Sequence, residues 1–341
     1  MDRKKIIFGV KIFVAISLVT QLGIFFFSSR QNVGVSLNIP FYKINCYMLG
    51  IAFCLSWLEG IVSGLRIFFI MRIINPRIKY VTSAKAAYSN IFLGATTPSQ
   101  TGGGVAQVYF ITRDNIPISQ ASAGSILTFV CTLLFLTTAL ISTSIFPSPT
   151  MEYSFQLMMK SAAIVVTSTT LIFLISALFT HSINNFKHSL FSFLKNRGTI
   201  KDKRGKIENL LKKLATGLLN YRDSILLMRK RGKMALFLGF LFTCLFFANR
   251  LIIPYFIIIG LGGDVNVIEV MHIQLFIILI SYFCPTPGAS GLAEISSLIL
   301  MASLIDNSLA PVYTLLWRLC TLYVNCTIGG LLFCRELKKS D

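Results

Sequence analysis

Six long apolar runs, at residues 6–27, 45–70, 119–145, 161–180, 233–260 and 308–333, dominate this chain. Each supplies the about 20 residues a helix needs to cross the hydrocarbon core of a bilayer. A segment in lipid must bond its backbone internally, so runs of this kind fold as helices. An all-α polytopic membrane protein follows, and 341 residues leave little room for a soluble catalytic domain. Hydrophobic residues make up 54% of the chain and charged residues 13%, against about 25% charged in soluble domains. A water-soluble globule is excluded. The net charge of +19 would suggest nucleic acid in a soluble protein, but nothing aromatic interleaves the cations, and no nucleic-acid partner is expected.

Two further apolar stretches, 86–111 and 270–305, are interrupted by Thr97-Pro98-Ser99-Gln100-Thr101-Gly102-Gly103-Gly104 and by Pro285-Thr286-Pro287-Gly288-Ala289-Ser290-Gly291. Their topology follows from the loops. Residues 181–232 carry 13 Lys plus Arg against three acids, which places them in the cytoplasm. Arg3, Lys4 and Lys5 place the N-terminus there too, and its apolar run has no small-residue cleavage site, so it reads as an anchor. The link with Arg72, Arg77, Lys79 and Lys85 is also cytoplasmic, while 146–160 and 261–269 suit the outside. Were 86–111 to cross, the basic segment would lie outside; that stretch is therefore expected to enter and leave on the cytoplasmic side. With Arg335, Lys338 and Lys339 inside, 270–305 becomes a hairpin entering from outside.

The expected fold is thus six full spans plus two re-entrant hairpins, arranged as an inverted repeat. Residues 1–150 form the first repeat, with hairpin 86–111, and residues 160–335 the second, with hairpin 270–305. Broken apolar segments at matching places in two halves point to a transport site near the bilayer midplane. The alternative is a pair of Pro-Gly loops between ordinary short helices. In the basic segment 181–232, Ile207, Leu210, Leu211, Leu214, Leu218, Ile225 and Leu226 recur near helical spacing. They suggest an amphipathic helix on the inner membrane surface, either meeting anionic lipid or only fixing topology. The eight cysteines lack CxxC spacing and read as packed thiols.

Ionisable groups inside a membrane cost about 2.5–3.5 kcal/mol each and call for a reason. Five stand out within the apolar stretches: Glu59, Arg66, Arg250, Glu294 and Arg318. Glu59 and Arg66 lie on one helix face, too far apart to pair directly. Arg318 lies ten residues into its run, about 15 Å by helical rise and near the bilayer centre. Arg250 falls nearer the outer end and could snorkel. Arg318 and Arg250 either hold an anionic headgroup, which a guanidinium fork suits, or pair with Glu294 and Glu59 as structural ties. The interrupted stretches add candidate ligand groups. Helices restarting after Gly104 and Ser290 aim free amides inward. Pro98, Gly102, Gly103, Gly104, Pro287, Gly288 and Gly291 shape the turns for close approach, and Ser99, Gln100, Thr101 and Ser290 offer neutral hydrogen bonds. Glu294, at the place matched by Gln107 in the first half, is either a proton-coupling carboxyl or a helix cap. No metal or other cofactor is expected: His181, His188 and His272 are scattered, and no GxxxxGK[ST] loop occurs.

At the two interruptions and the last span the chain resembles the lysylphosphatidylglycerol synthase transmembrane region family, also called the flippase-like domain family. The matching residues are Pro98, Gly102, Gly103, Gly104 and Arg113, the run Pro285 to Glu294, and Arg318 followed by Gly329 and Gly330. Ala289 and Ser99 stand where the family usually has glycine. The resemblance implies an inner-membrane protein tied to lipid translocation. The soluble lysyltransferase domain of the bifunctional members is not expected here, because eight residues follow Phe333. The function expected is therefore an ATP-independent flippase-like transporter of an anionic phospholipid or lipid-linked substrate. It would act in a bacterial or archaeal cell membrane with both termini cytoplasmic, and it would not be an enzyme. Its partners would be anionic membrane lipids. Alternatives are a noncatalytic partner of a separate lipid-modifying enzyme, or a secondary carrier of small anions.

Overall fold

A computed structural model describes residues 3–30, 44–147, 153–178, 233–301, 304–305 and 308–338, and no strand occurs among them. The basic segment 181–232, with its expected surface helix, lies outside the described residues. Eleven helices are described: α1 (Arg3–Arg30), α2 (Cys46–Ile74), α3 (Tyr80–Ala95), α4 (Thr101–Thr112), α5 (Ile118–Ile145), α6 (Tyr153–Leu178), α7 (Lys233–Gly260), α8 (Val267–Phe283), α9 (Leu292–Met301), α10 (Ala310–Arg318) and α11 (Val324–Lys338). Among the described residues six stretches are long and apolar enough to cross a membrane: Phe8–Phe26, Cys46–Ile74, Ile118–Ile145, Tyr153–Ile175, Phe237–Gly260 and Ala310–Glu336. They correspond one for one to the six apolar runs. Many of their large side chains, Phe53, Trp57, Ile164 and Ile172 among them, are exposed in the isolated chain, as a lipid-facing surface requires.

Local chemistry sets several boundaries. The Asn45 side chain accepts hydrogen bonds from the Tyr47 and Met48 amides, and that of Asn266 accepts from Ile268 N, so each caps its helix start. Pro311 stands in the first turn of α10, where its missing N–H is no loss. Pro98 and Pro287 each open a 3₁₀ turn, Pro98–Gln100 and Pro287–Ala289. Each interrupted stretch is a pair of helices joined by one of these turns, α3 with α4 and α8 with α9, and the partners pack on each other. The pairs start earlier than the apolar runs suggested, at Tyr80 and Val267, and α6 starts at Tyr153 rather than 161.

The two halves of the chain meet along α2 and α7, which run antiparallel. At one end Asn45 N donates to Gly260 O at 2.8 Å. Further along, Asn249 Nδ2 donates to Leu55 O at 2.9 Å, and toward the other end the Phe69 and Phe242 rings stack at 4.9 Å. Gly239 and Gly260 let the axes approach: a Cβ on either would run into Ile70 or Leu49. The α3–α4 pair is seated just as closely. A Cβ on Gly60 would overlap the Tyr88 ring, one on Gly64 would lie 3.0 Å from Ala84 Cα, and one on Gly329 of α11 would overlap the Tyr88 carbonyl.

The last apolar run is not one regular helix. Between α10 and α11 lies a π-helical turn, Leu319–Tyr323, directly after Arg318, a feature that often marks functional sites. Its backbone is supported from α2: Ser56 Oγ donates to Cys320 O, and Asn325 Nδ2 donates to Ser56 O at 3.2 Å. Finally, the two 3₁₀ turns pack against each other. Gln100 Nε2 donates to Ser281 O at 3.4 Å, and a Cβ on Gly288 would lie 3.2 Å from Ala95 O.

Candidate functional site: a cavity between the two turns

Where the turns meet, the helices enclose a cavity of about 100 Å³, room for several waters at about 10–15 Å³ each. Its wall includes three guanidinium groups, Arg66 from α2, Arg250 from α7 and Arg318 from α10. Gln100 and Gly288 from the turns, with Asn90, Gln274, Tyr282 and Trp317, supply further polar or polarisable groups. The surrounding cores are apolar, with Phe92, Phe110 and Phe333 on one side and Ile253, Ile257 and Tyr313 on the other. Arg66 and Arg318 are buried here and Arg250 is about a quarter exposed, so the pairing of these charges decides what the cavity can hold.

Two of the three arginines have carboxylate partners. Arg318 Nε lies 2.9 Å from Glu294 Oε1, with side chains 6% and 0% exposed, and Arg318 Nη2 donates to Ala289 O at 3.4 Å. The other Glu294 oxygen accepts from Gly291 N at 2.8 Å, so this carboxylate caps the start of α9 and ties it to Arg318. Arg250 Nη1 lies 3.5 Å from Glu59 Oε1. Glu59 sits near the middle of α2, so this contact turns Arg250 toward the centre of that helix. The third guanidinium is different. Arg66 is 8% exposed; its Nη1 donates to Thr132 Oγ1 at 3.3 Å, and its plane lies over Phe246 at 5.0 Å. Among the described residues no carboxylate pairs with it, and its Nε is buried without a partner. Among the described residues the cavity's arginines thus outnumber their carboxylate partners by one. Further unanswered polar atoms belong to the same wall: Arg250 Nε, Trp317 Nε1 and Gln274 Oε1.

The residues selected from the sequence divide into three groups. Arg318, Arg250, Gln100 and Gly288 line the cavity. Pro98, Ser99 and Thr101 are exposed beside it, with Thr101 Oγ1 bonded back to Pro98 O at 3.0 Å. The rest shape the turns. A Cβ on Gly102 would lie 2.8 Å from Thr97 Oγ1, one on Gly103 would lie 2.6 Å from Asn90 Oδ1, and one on Gly104 would face Ser125 Oγ at 3.5 Å. These glycines serve the α3–α4 and α4–α5 contacts. Pro287 opens its turn, Gly291 gives its amide to Glu294, and Ser290 Oγ shares a 3.0 Å hydrogen bond with Ser17 Oγ of α1. Both helix starts expected to present free amides are capped from within, α4 by Thr97 Oγ1 on Gly102 N at 2.8 Å and α9 by Glu294. Gln107, the counterpart of Glu294, accepts from Asn90 Nδ2 at 3.0 Å and donates to Thr128 Oγ1 at 3.4 Å.

Sequence reasoning left Arg66 outside the site, along with the polar wall residues Ser63, Asn90, Gln274, Tyr282 and Trp317. For Arg66 a signal was present: the five ionisable groups that stand out are three arginines and two acids, so one of these cations had to lack a partner among them. Which one depends on the antiparallel register of α2 and α7, which sets Arg250 against Glu59 and Phe246 against Arg66.

The description "Lysylphosphatidylglycerol synthase TM region" matches residues 9–329 of the chain. The chain belongs to this family. A UPF0104 membrane protein of Archaeoglobus fulgidus is 23% identical over 298 residues, covering 87% of this chain and 89% of the relative. A second UPF0104 membrane protein, from Pyrococcus horikoshii, is 24% identical over 279 residues, covering 77% and 79%. The family match therefore takes in both helix pairs, both turns and all three cavity arginines. With its six membrane-length helices, this member of the family is a multi-pass membrane protein.

Proposed function

We propose that the chain is an ATP-independent, flippase-like transporter of an anionic phospholipid or lipid-linked substrate. The headgroup occupies the cavity while the acyl chains stay in lipid, and the chain performs no covalent chemistry of its own. The observation that carries this reading is the buried, arginine-lined cavity at the meeting of the two turns, with one arginine more than its carboxylate partners among the described residues. A positive site of that kind, enclosed by apolar helices, favours a substrate that brings both an anion and hydrocarbon. In this account the α3–α4 and α8–α9 pairs are re-entrant hairpins from opposite faces, and the two halves form an inverted repeat. The antiparallel packing of α2 on α7, the second span of each half, supports that arrangement. The loop cations put both termini on the cytoplasmic side of a cell membrane.

Reconstitution tests the proposal. Vesicles containing the purified chain and fluorescent phosphatidylglycerol, or a labelled polyprenyl phosphate, are expected to exchange label between leaflets faster than protein-free vesicles without ATP. Exchange at the protein-free rate for every anionic lipid tried would overturn it.

A further inference from the structure

We infer that Arg66, rather than the Arg318–Glu294 pair at the turns, is the seat of the substrate's anionic group, and that this group is a phosphate-type oxyanion. Seating by Arg66 deepens the transport reading of the cavity and rests on it. Three observations converge on the residue. Arg318 and Arg250 already face carboxylates, at 2.9 and 3.5 Å, so an incoming anion at either would compete with a partner in place. Arg66 meets no carboxylate among the described residues, and its Nε is buried and unpartnered. Its pose is nonetheless fixed: Thr132 Oγ1 donates to Thr128 O at 3.1 Å, which turns its lone pairs toward Arg66 Nη1, and the Phe246 ring supports the guanidinium plane at 5.0 Å.

A guanidinium held in this way presents parallel N–H donors, and two oxygens of one phosphate group match that fork. Ser63 and Asn90 stand on the same wall and could donate to the remaining oxygens, while Arg250 adds a second cation. The shared chemistry can come from a phospholipid headgroup or from free phosphate, and the apolar enclosure favours the lipid. Neither helix N-terminus is needed, since both are capped from within.

The chain carries its own reporter. Of its two tryptophans, Trp317 is buried in the cavity wall and Trp57 faces outward. In a Trp57→Phe background, Trp317 fluorescence of the purified chain is titrated with inorganic phosphate and, separately, with short-chain phosphatidylglycerol, for native Arg66, Arg66→Lys and Arg66→Gln. Arg66→Gln is expected to weaken binding at least tenfold, Arg66→Lys less, and Arg113→Gln, which is far from the cavity, not at all; circular dichroism shows that the variants are folded. Tighter binding of the lipid than of phosphate supports the lipid source, and the reverse order overturns that part. Binding unchanged by Arg66→Gln, or absent for both probes in the native chain, overturns the inference. Leaflet exchange separates the two proposals: anion binding that needs Arg66 without exchange sinks transport and keeps the seat, whereas exchange indifferent to Arg66→Gln does the opposite.

Discussion

Replacing Glu294 by Gln should destabilise the fold far more than an ordinary polar substitution, because it strands a buried charge. The carboxylate and the Arg318 guanidinium are 2.9 Å apart with almost no solvent contact, and among the described residues the guanidinium is otherwise met by a long hydrogen bond, 3.4 Å, to Ala289 O and by the Trp317 ring at 4.9 Å. Gln keeps nearly the same volume and its one oxygen can still accept from Gly291 N, so the cap on α9 survives while Arg318 loses both the charge and the acceptor it faces. Removing one partner of a buried ion pair costs about 3–5 kcal/mol. Polar contacts in membrane proteins average less, since the unfolded chain in the membrane also finds partners. We therefore expect about 3 kcal/mol, read as a shift in SDS-induced unfolding in mixed micelles followed by circular dichroism. The double variant Glu294→Gln/Arg318→Met should recover most of that loss, because no charge is then left unpaired. A single variant within about 0.5 kcal/mol of the native chain, the range of surface substitutions, would refute the reasoning and show that Arg318 is already solvated from the cavity.

Two further outcomes test the packing. Ser99 is exposed and holds a left-handed backbone, φ 49°, which costs an L-residue about 1–2 kcal/mol; Ser99→Gly should raise stability by about 1 kcal/mol in the same unfolding assay, and a loss would contradict the turn geometry. A Cβ on Gly329 has no room against the Tyr88 carbonyl, whereas one on Gly23 meets nothing within 4 Å. Gly329→Ala should therefore cost about 1–3 kcal/mol and Gly23→Ala, inside α1, should be neutral or stabilise by up to about 1 kcal/mol, and equal effects would refute the α3–α11 contact.

Much of the architecture was legible because a bilayer leaves a chain few choices. The six apolar runs became six membrane-length helices, and the Pro-Gly interruptions became turns between paired helices. The boundaries of α3 and α6 slipped because polar residues such as Lys85, Gln156 and Lys160 sit at helix ends where hydropathy alone sees a loop. The π-helical turn after Arg318 was not legible, since it depends on Ser56 and Asn325 meeting from distant segments. Ser99 and Ala289, the two places where glycine is usual in the family, both adopt positive φ, so the departures in sequence fall where the backbone is most demanding. In the site, Arg318 with Glu294 was readable as a pair, and Arg250 with Glu59 likewise. The isolation of Arg66 was not, because it is a property of register between two helices 180 residues apart and not of either alone.

Whether an anionic lipid headgroup enters the cavity is open to direct measurement with phosphatidylglycerol carrying a photoreactive group on its headgroup. The protein is irradiated in bilayers and the labelled residues are mapped by peptide mass spectrometry. The account predicts labels on the segments bearing Ser63 and Arg66, Phe246 and Arg250, and Trp317, lost when unlabelled phosphatidylglycerol competes. Labels confined to the lipid-facing positions Phe53, Trp57, Ile164 and Ile172 would contradict it.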